Sequence, residues 1–206
     1  MEDLLDLKEL ELDALREVAN IGAGHAATAL SQLTNRRIMI SVPEIFVARL
    51  EDVPERLGDE EEVVVGVLMH MLGDLTGRML LTLPESDAEL LCDMLLQREP
   101  GGTTQFDELE RSCLKEAGNI LGGAYMNALS DFMGMMLLPS VPSLAIDMSG
   151  TVLTTAQLSF GRDKEMVFCV ETNFNFHEAE TTLRGHFLLL PDLASLKTIF
   201  DAIRVG

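Results

Sequence analysis

The chain has 206 residues, 47% of them hydrophobic, enough to bury one sizeable core or two small fused ones. A formal charge of −19 with only four lysines excludes nucleic acid as a partner, because phosphate binding needs a basic cluster that no stretch supplies. The apolar runs fall far short of the roughly 20 residues of a membrane helix, and the start MEDLLDLKEL is acidic. Cys92, Cys113 and Cys169 show no CxxC spacing. These features predict a soluble, cytoplasmic protein without membrane insertion, export signal, disulfide framework or zinc site.

Leucine, valine and alanine recur at helical spacing through Leu12, Leu15, Ala19, Ala26 and Leu30, which predicts a long helix from about Leu4 to Thr34. Three β-like runs follow, RIMISV, EVVVGVLMHM and TGRMLLTL. After Pro84, Ser86 and Glu89 form a capping-box pattern ahead of a shorter helix. The breaker REPGGTT marks the boundary between two halves, about 1–100 and 101–206. A second long helix is expected from about Gln105 to Met133, with Asp107 in a capping-box-like start. The runs TVLTTAQLSF, EMVFCVETNFNF and TTLRGHFLLL then read as strands, and Asp192 caps a last helix after Pro191.

The halves share one plan. Shifting the chain by 99 positions places Glu17 on Glu116, Asn20 on Asn119, Ile21 on Ile120, Gly24 on Gly123 and Pro43 on Pro142. It also places Asn35 on Gly134, two residue types that tolerate the left-handed backbone ending a helix. The expected fold is α+β, an internally duplicated α-β-β-β-α unit. Its two copies form a single pseudo-two-fold domain, with hairpin-joined antiparallel or mixed strands, two long helices and helical cover on one face.

Residues at i, i+4, i+7 and i+11 share one helix face, so Asp13, Glu17, Asn20 and Gly24 form a stripe, repeated as Ser112, Glu116, Asn119 and Gly123. An asparagine inside a helix costs roughly 0.5–0.7 kcal/mol against alanine, and Asp13 and Glu17 are like charges one turn apart. A cost met twice at one spacing points to use. Gly24 and Gly123 leave room where a partner's backbone would come close, whereas Gly22, Ala23 and Gly122 fit helix packing.

Other chemistries fit poorly. GAGHAA at 22–27 mimics a dinucleotide loop but lies within a helical pattern. The four histidines show no HxxxH or ExxH spacing, no GxSxG or Walker sequence is present, and Cys113 reads as a small hydrophobe in a helix.

The motif Asp/Ser-x3-Glu-x2-Asn, followed after 22 residues by Pro, resembles the signature of the CheC/CheX/FliY family of chemotaxis phosphatases. Here it reads Asp13, Glu17, Asn20, Pro43 and again Ser112, Glu116, Asn119, Pro142. Two complete motifs look most like the CheC type, without the C-terminal switch domain of FliY-like members. The resemblance implies hydrolysis of the phospho-aspartate of the response regulator CheY. Asn20 and Asn119 would orient the attacking water, and Glu17 and Glu116 would pair with a lysine of the CheY site. It implies that magnesium belongs to CheY and that this chain binds no metal or other cofactor. It also implies a second partner, the deamidase CheD. Because the duplication supplies the pairing that one-motif relatives gain by dimerising, a monomer is expected. A competing expectation is an adaptor that holds CheY-P or CheD with little hydrolysis.

Overall fold

A computed structural model of the chain describes residues 9–42, 44–49, 52–53, 59–157, 166–176 and 181–205. The first half contains α1 (Glu9–Thr34), β1 (Ile38–Ser41), β2 (Ile45–Arg49), β3 (Val63–Gly73), β4 (Gly77–Pro84) and α2 (Glu85–Leu95). The second contains α3 (Glu108–Met133), β5 (Leu137–Pro139), β6 (Ser143–Met148), α4 (Ser149–Gln157), β7 (Met166–Phe176), β8 (Thr181–Pro191) and α5 (Leu193–Val205).

The long antiparallel hairpins β3–β4 and β7–β8 lie side by side, joined through β4 and β8, where Gly77 stands opposite Pro191 and Thr82 opposite His186. Each half completes the other's edge. The short strands β1 and β2 pair with β7 of the second half, and β5 and β6 pair with β3 of the first. One sheet thus runs through both halves in the order β1-β7-β8-β4-β3-β5, with β2 on β7 and β6 on β3. Every pairing is antiparallel among the described residues.

Strand alternation gives the sheet two buried faces. Val65, Val67, Met69, Met71, Met79, Leu81 and Leu83 point toward α1, α2, α3 and α5 and form the larger core. Leu30 on α1 is wholly buried there, so its truncation to alanine is expected to cost about 2–5 kcal/mol. Val64, Leu80, Val167, Leu188 and Leu190 point the other way, into a smaller core closed by Val152, Leu153 and Ala156 of α4 and by Val53.

The α+β class, the duplication and the two long helices match the expectation; the unit is fuller than α-β-β-β-α and helices cover both sheet faces. Each half carries four strands among the described residues, because β2, β5 and β6 also form. Residues 151–157 of the run expected to be a strand belong instead to helix α4 (Ser149–Gln157), and 158–160 lie outside the described residues. Val152, Leu153 and Ala156 bury one helical side against the sheet, and Thr154 donates its hydroxyl to the Gly150 carbonyl at 2.7 Å. That burial outweighs the β-branched composition.

The ends of the helices follow the sequence in part. Asn35 and Gly134 both adopt left-handed backbone, φ 53° and 66°, as the 99-residue shift requires. Asp192 caps α5, its Oδ1 accepting from the Ser195 N–H at 2.8 Å. Neither capping box forms: α2 starts at Glu85 with Pro84 in the cap position, so Ser86 is already inside the first turn. Asp107 does occupy the cap position of α3, but its carboxylate accepts from Gln105 Nε2 at 3.1 Å instead. The junction between halves is tied down. Asp93 Oδ2 accepts from the Gly101 and Gly102 amides at 2.7 and 3.1 Å, and Arg98 reaches Glu110 Oε1 at 2.7 Å.

Candidate functional site: two helix faces

On α1, Val18, Ala19, Ala23, Ala26 and Leu30 are buried, which leaves Asp13, Glu17, Asn20 and Gly24 on the opposite, exposed side. On α3, Leu114, Ala117, Gly118, Leu121 and Gly122 are buried, Ser112 and Glu116 are exposed, and Asn119 and Gly123 are half-buried. The fold therefore presents both polar stripes.

The glycines divide by role. A Cβ on Gly22 would lie 2.6 Å from Tyr125 Cδ1 and 3.0 Å from Tyr125 Cα, so Gly22 is what lets α1 and α3 touch. A Cβ on Gly118 would lie 2.6 Å from Val67 Cγ1, so Gly118 seats α3 on β3 directly behind Asn119. Around Gly24 and Gly123 a Cβ would meet nothing within 4 Å. Packing thus gives no reason for glycine at those two positions.

Among the described residues, no hydrogen bond or ion pair engages the side chains of Glu17, Asn20, Glu116 or Asn119. Asp13, by contrast, is engaged: Arg16 Nη1 donates to its Oδ1 at 2.7 Å, both side chains being about half exposed. This pair offsets the repulsion expected between Asp13 and Glu17. The second copy has Ser112 and Lys115 at those positions and no such pair among the described residues.

Pro142 lies in the gap between β5 and β6. There Ser140 bonds across to His70 through both its amide and its hydroxyl, at 2.9 Å each. Proline suits such an interrupted edge strand, which also resists pairing with foreign strands. Pro43 lies outside the described residues. His25, His70 and His186 stand on three different elements, and no group of three potential metal-ligating side chains forms among the described residues. Burial lowers the His186 pKa.

Two features escaped the sequence reading. Ile21, beside Asn20, is 41% exposed, an apolar surface that its place in an apolar run concealed. Cys113 is not merely a small hydrophobe: it is partly exposed and stands one turn along α3 from Glu110, whose carbonyl accepts from the thiol of buried Cys92 on α2 at 3.8 Å. Eighteen positions of separation hid the contact between Cys92 and Glu110.

The duplicated α+β fold places a glutamate and an asparagine on the outer side of each long helix. The CheC-like family model matches residues 10–47 and 109–146, each long helix with the strands that follow it. The CheY-P phosphatase CheC of Bacillus subtilis is 35% identical over 204 residues, covering 96% of this chain and 95% of that one. The chain belongs to the CheC-like family. The crystal structure of Thermotoga maritima FliY superposes with a TM-score of 0.80 at 22% identity, over 97% of this chain and 98% of that one. The chemotaxis protein CheX of Desulfovibrio desulfuricans gives 0.52 at 16% identity, over 84% and 99%. These likenesses extend to the fold.

Proposed function

We propose that this chain is a phosphatase that stimulates hydrolysis of the phospho-aspartate of CheY through two active helices. The observation that carries the reading is the duplicated, unengaged Glu-x-x-Asn pair beside an unfilled glycine on each exposed helix face. The kinship with a CheY-P phosphatase supports it.

Hydrolysis of an acyl phosphate passes through a loose transition state, so catalysis lies mainly in placing water in line with phosphorus. Water's oxygen bonds to phosphorus, the bond to the aspartyl oxygen breaks, and carboxylate and inorganic phosphate leave. A magnesium ion held by the partner would neutralise charge. In this reading Asn20 or Asn119 orients the water through its neutral amide, and Glu17 or Glu116 pairs with a lysine of the partner and fixes the register. Asp13 and Ser112 support the start of each stripe, Gly24 and Gly123 admit the partner's backbone, and Pro142 interrupts the edge between β5 and β6.

The same reading has this chain holding no metal or cofactor of its own. It acts in the cytoplasm as a monomer whose halves, about 1–100 and 101–206, fold as one domain, because each supplies the other's edge strands. CheD is proposed as a second partner. No helix among the described residues is long and apolar enough to cross a membrane.

The test is the decay of phosphorylated CheY with and without this protein, repeated with Asn20→Ala/Asn119→Ala. Acceleration by wild type and none by the double variant, with binding retained, supports the reading. Tight binding of CheY-P without acceleration would make the chain an adaptor instead.

A further inference from the structure

Ile21 and Ile120 are counterparts under the 99-residue shift, yet the fold uses them differently. Ile120 is partly buried and packs against the larger core, whereas Ile21 is 41% exposed and belongs to neither core. A single exposed isoleucine is ordinary on a protein surface, so its position is what decides. Ile21 directly follows Asn20, one turn after Glu17 and one turn before Gly24, around which a Cβ would meet nothing within 4 Å.

The surface beyond Ile21 continues the difference between the copies. Thr28, two turns further along the same side of α1, donates its hydroxyl to the Gly24 carbonyl at 2.9 Å, which leaves its methyl group to the surface. Ile21, Gly24 and Thr28 thus make an apolar row beside the polar row of Glu17 and Asn20. In the second copy the row is Ile120, already taken up by the core, Gly123 and the exposed, polar Asn127.

An exposed helix position gains nothing from a β-branched side chain, which loses χ1 freedom there, and its apolar area stabilises nothing until it is covered. A partner that meets Glu17 and Asn20 covers the adjacent row in the same act. Apolar anchors beside polar contacts carry much of the docking energy, and the water they exclude strengthens the charge pairing next to them. We propose that Ile21 is the apolar anchor of the first docking face, entering an apolar recess of CheY beside its phosphorylated site, while Ile120 serves the core and adds little to docking. The assignment of the partner rests on the phosphatase reading. Ile21 binds and does not react, so its effect falls on KM and not on kcat.

The full-length Asn119→Ala chain isolates the first motif, and its stimulated decay of CheY-P is followed at rising CheY-P. Adding Ile21→Ala is expected to raise KM about five- to tenfold with kcat kept within about twofold, and Ile21→Leu to restore KM. An unchanged KM, or a fall in kcat alone, overturns the anchor. In the Asn20→Ala chain, which isolates the second motif, Ile120→Ala is expected to raise KM less than about twofold and to lower the urea midpoint of unfolding, which Ile21→Ala leaves in place. Equal effects of the two substitutions on KM overturn the division of roles. Binding is read separately by titrating CheY that carries beryllium fluoride in place of phosphate into Glu116→Lys, whose second face is closed by charge, with and without Ile21→Ala. If the wild type binds without accelerating decay, the phosphatase reading fails, and the titration still decides the anchor: a Kd raised about five- to tenfold supports it, and an unchanged Kd overturns it. A wild type that does not bind CheY at all overturns both.

Discussion

Arg16 holds Asp13 at 2.7 Å, one turn ahead of Glu17, so the extra carboxylate of the first stripe is neutralised where it stands. Exposed pairs of this kind contribute roughly 0.2–1 kcal/mol. Replacing Asp13 with serine, the residue of the second copy, is therefore expected to change the rate of the first motif by less than about fivefold. Measuring CheY-P decay with Asp13→Ser in an Asn119→Ala background checks this. A loss comparable to that of Asn20→Ala would give Asp13 a direct role.

The glycines of the stripe and of the core are expected to respond in opposite directions. Gly123→Ala meets no atom within 4 Å and replaces a poor helix former, so the protein gains up to about 1 kcal/mol in unfolding free energy while affinity for CheY-P falls. Gly118→Ala drives a methyl to 2.6 Å from Val67 and loses about 1–3 kcal/mol. Denaturant unfolding read beside a binding titration separates the two. A Gly123→Ala chain that binds as wild type would remove the reason for an open glycine there.

The Arg98 guanidinium holds the Glu110 carboxyl below the usual carboxylate range, helped by backbone hydrogen bonds. A depressed pKa contributes stability that is fully present above the unfolded value, roughly 4.3, and is lost as pH falls through the folded one. The junction between the halves should thus hold steady from neutral pH to about 5 and weaken below about 4. Unfolding midpoints of wild type and Glu110→Gln should converge on acidification. A constant gap between them down to pH 3 would contradict this assignment.

Much of the architecture was legible because duplication repeats its signals. The 99-residue shift predicted that Asn35 and Gly134 would both turn left-handed, and their φ values agree. The stripes were legible from helical spacing alone. The strands β5 and β6 were not, since their few residues are held by pairing with β3 and carry little signal of their own. Helix α4 was masked by threonines and valine, whose strand preference gave way to burial of Val152, Leu153 and Ala156. The exchange of edge strands between halves and the contact of Cys92 with the Glu110 carbonyl depend on distances that no local pattern records.

If the internal duplication satisfies the pairing surface, the chain remains monomeric alone. Light scattering across a dilution series should give one monomer mass throughout. A dimer that persists on dilution would mean that the exchanged edges leave an interface open.

The central claim is that each helix carries one working amide. Stimulated decay of CheY-P, measured under substrate-limiting conditions with Asn20→Ala, Asn119→Ala and the double variant, tests it most directly. The sites lie on different helices, so each single loss is expected to remove part of the acceleration, the two losses to sum, and the double variant to fall to the unstimulated rate while still binding. A double variant that releases phosphate like wild type would contradict the water-positioning role, and a single variant as inactive as the double would contradict two independent sites.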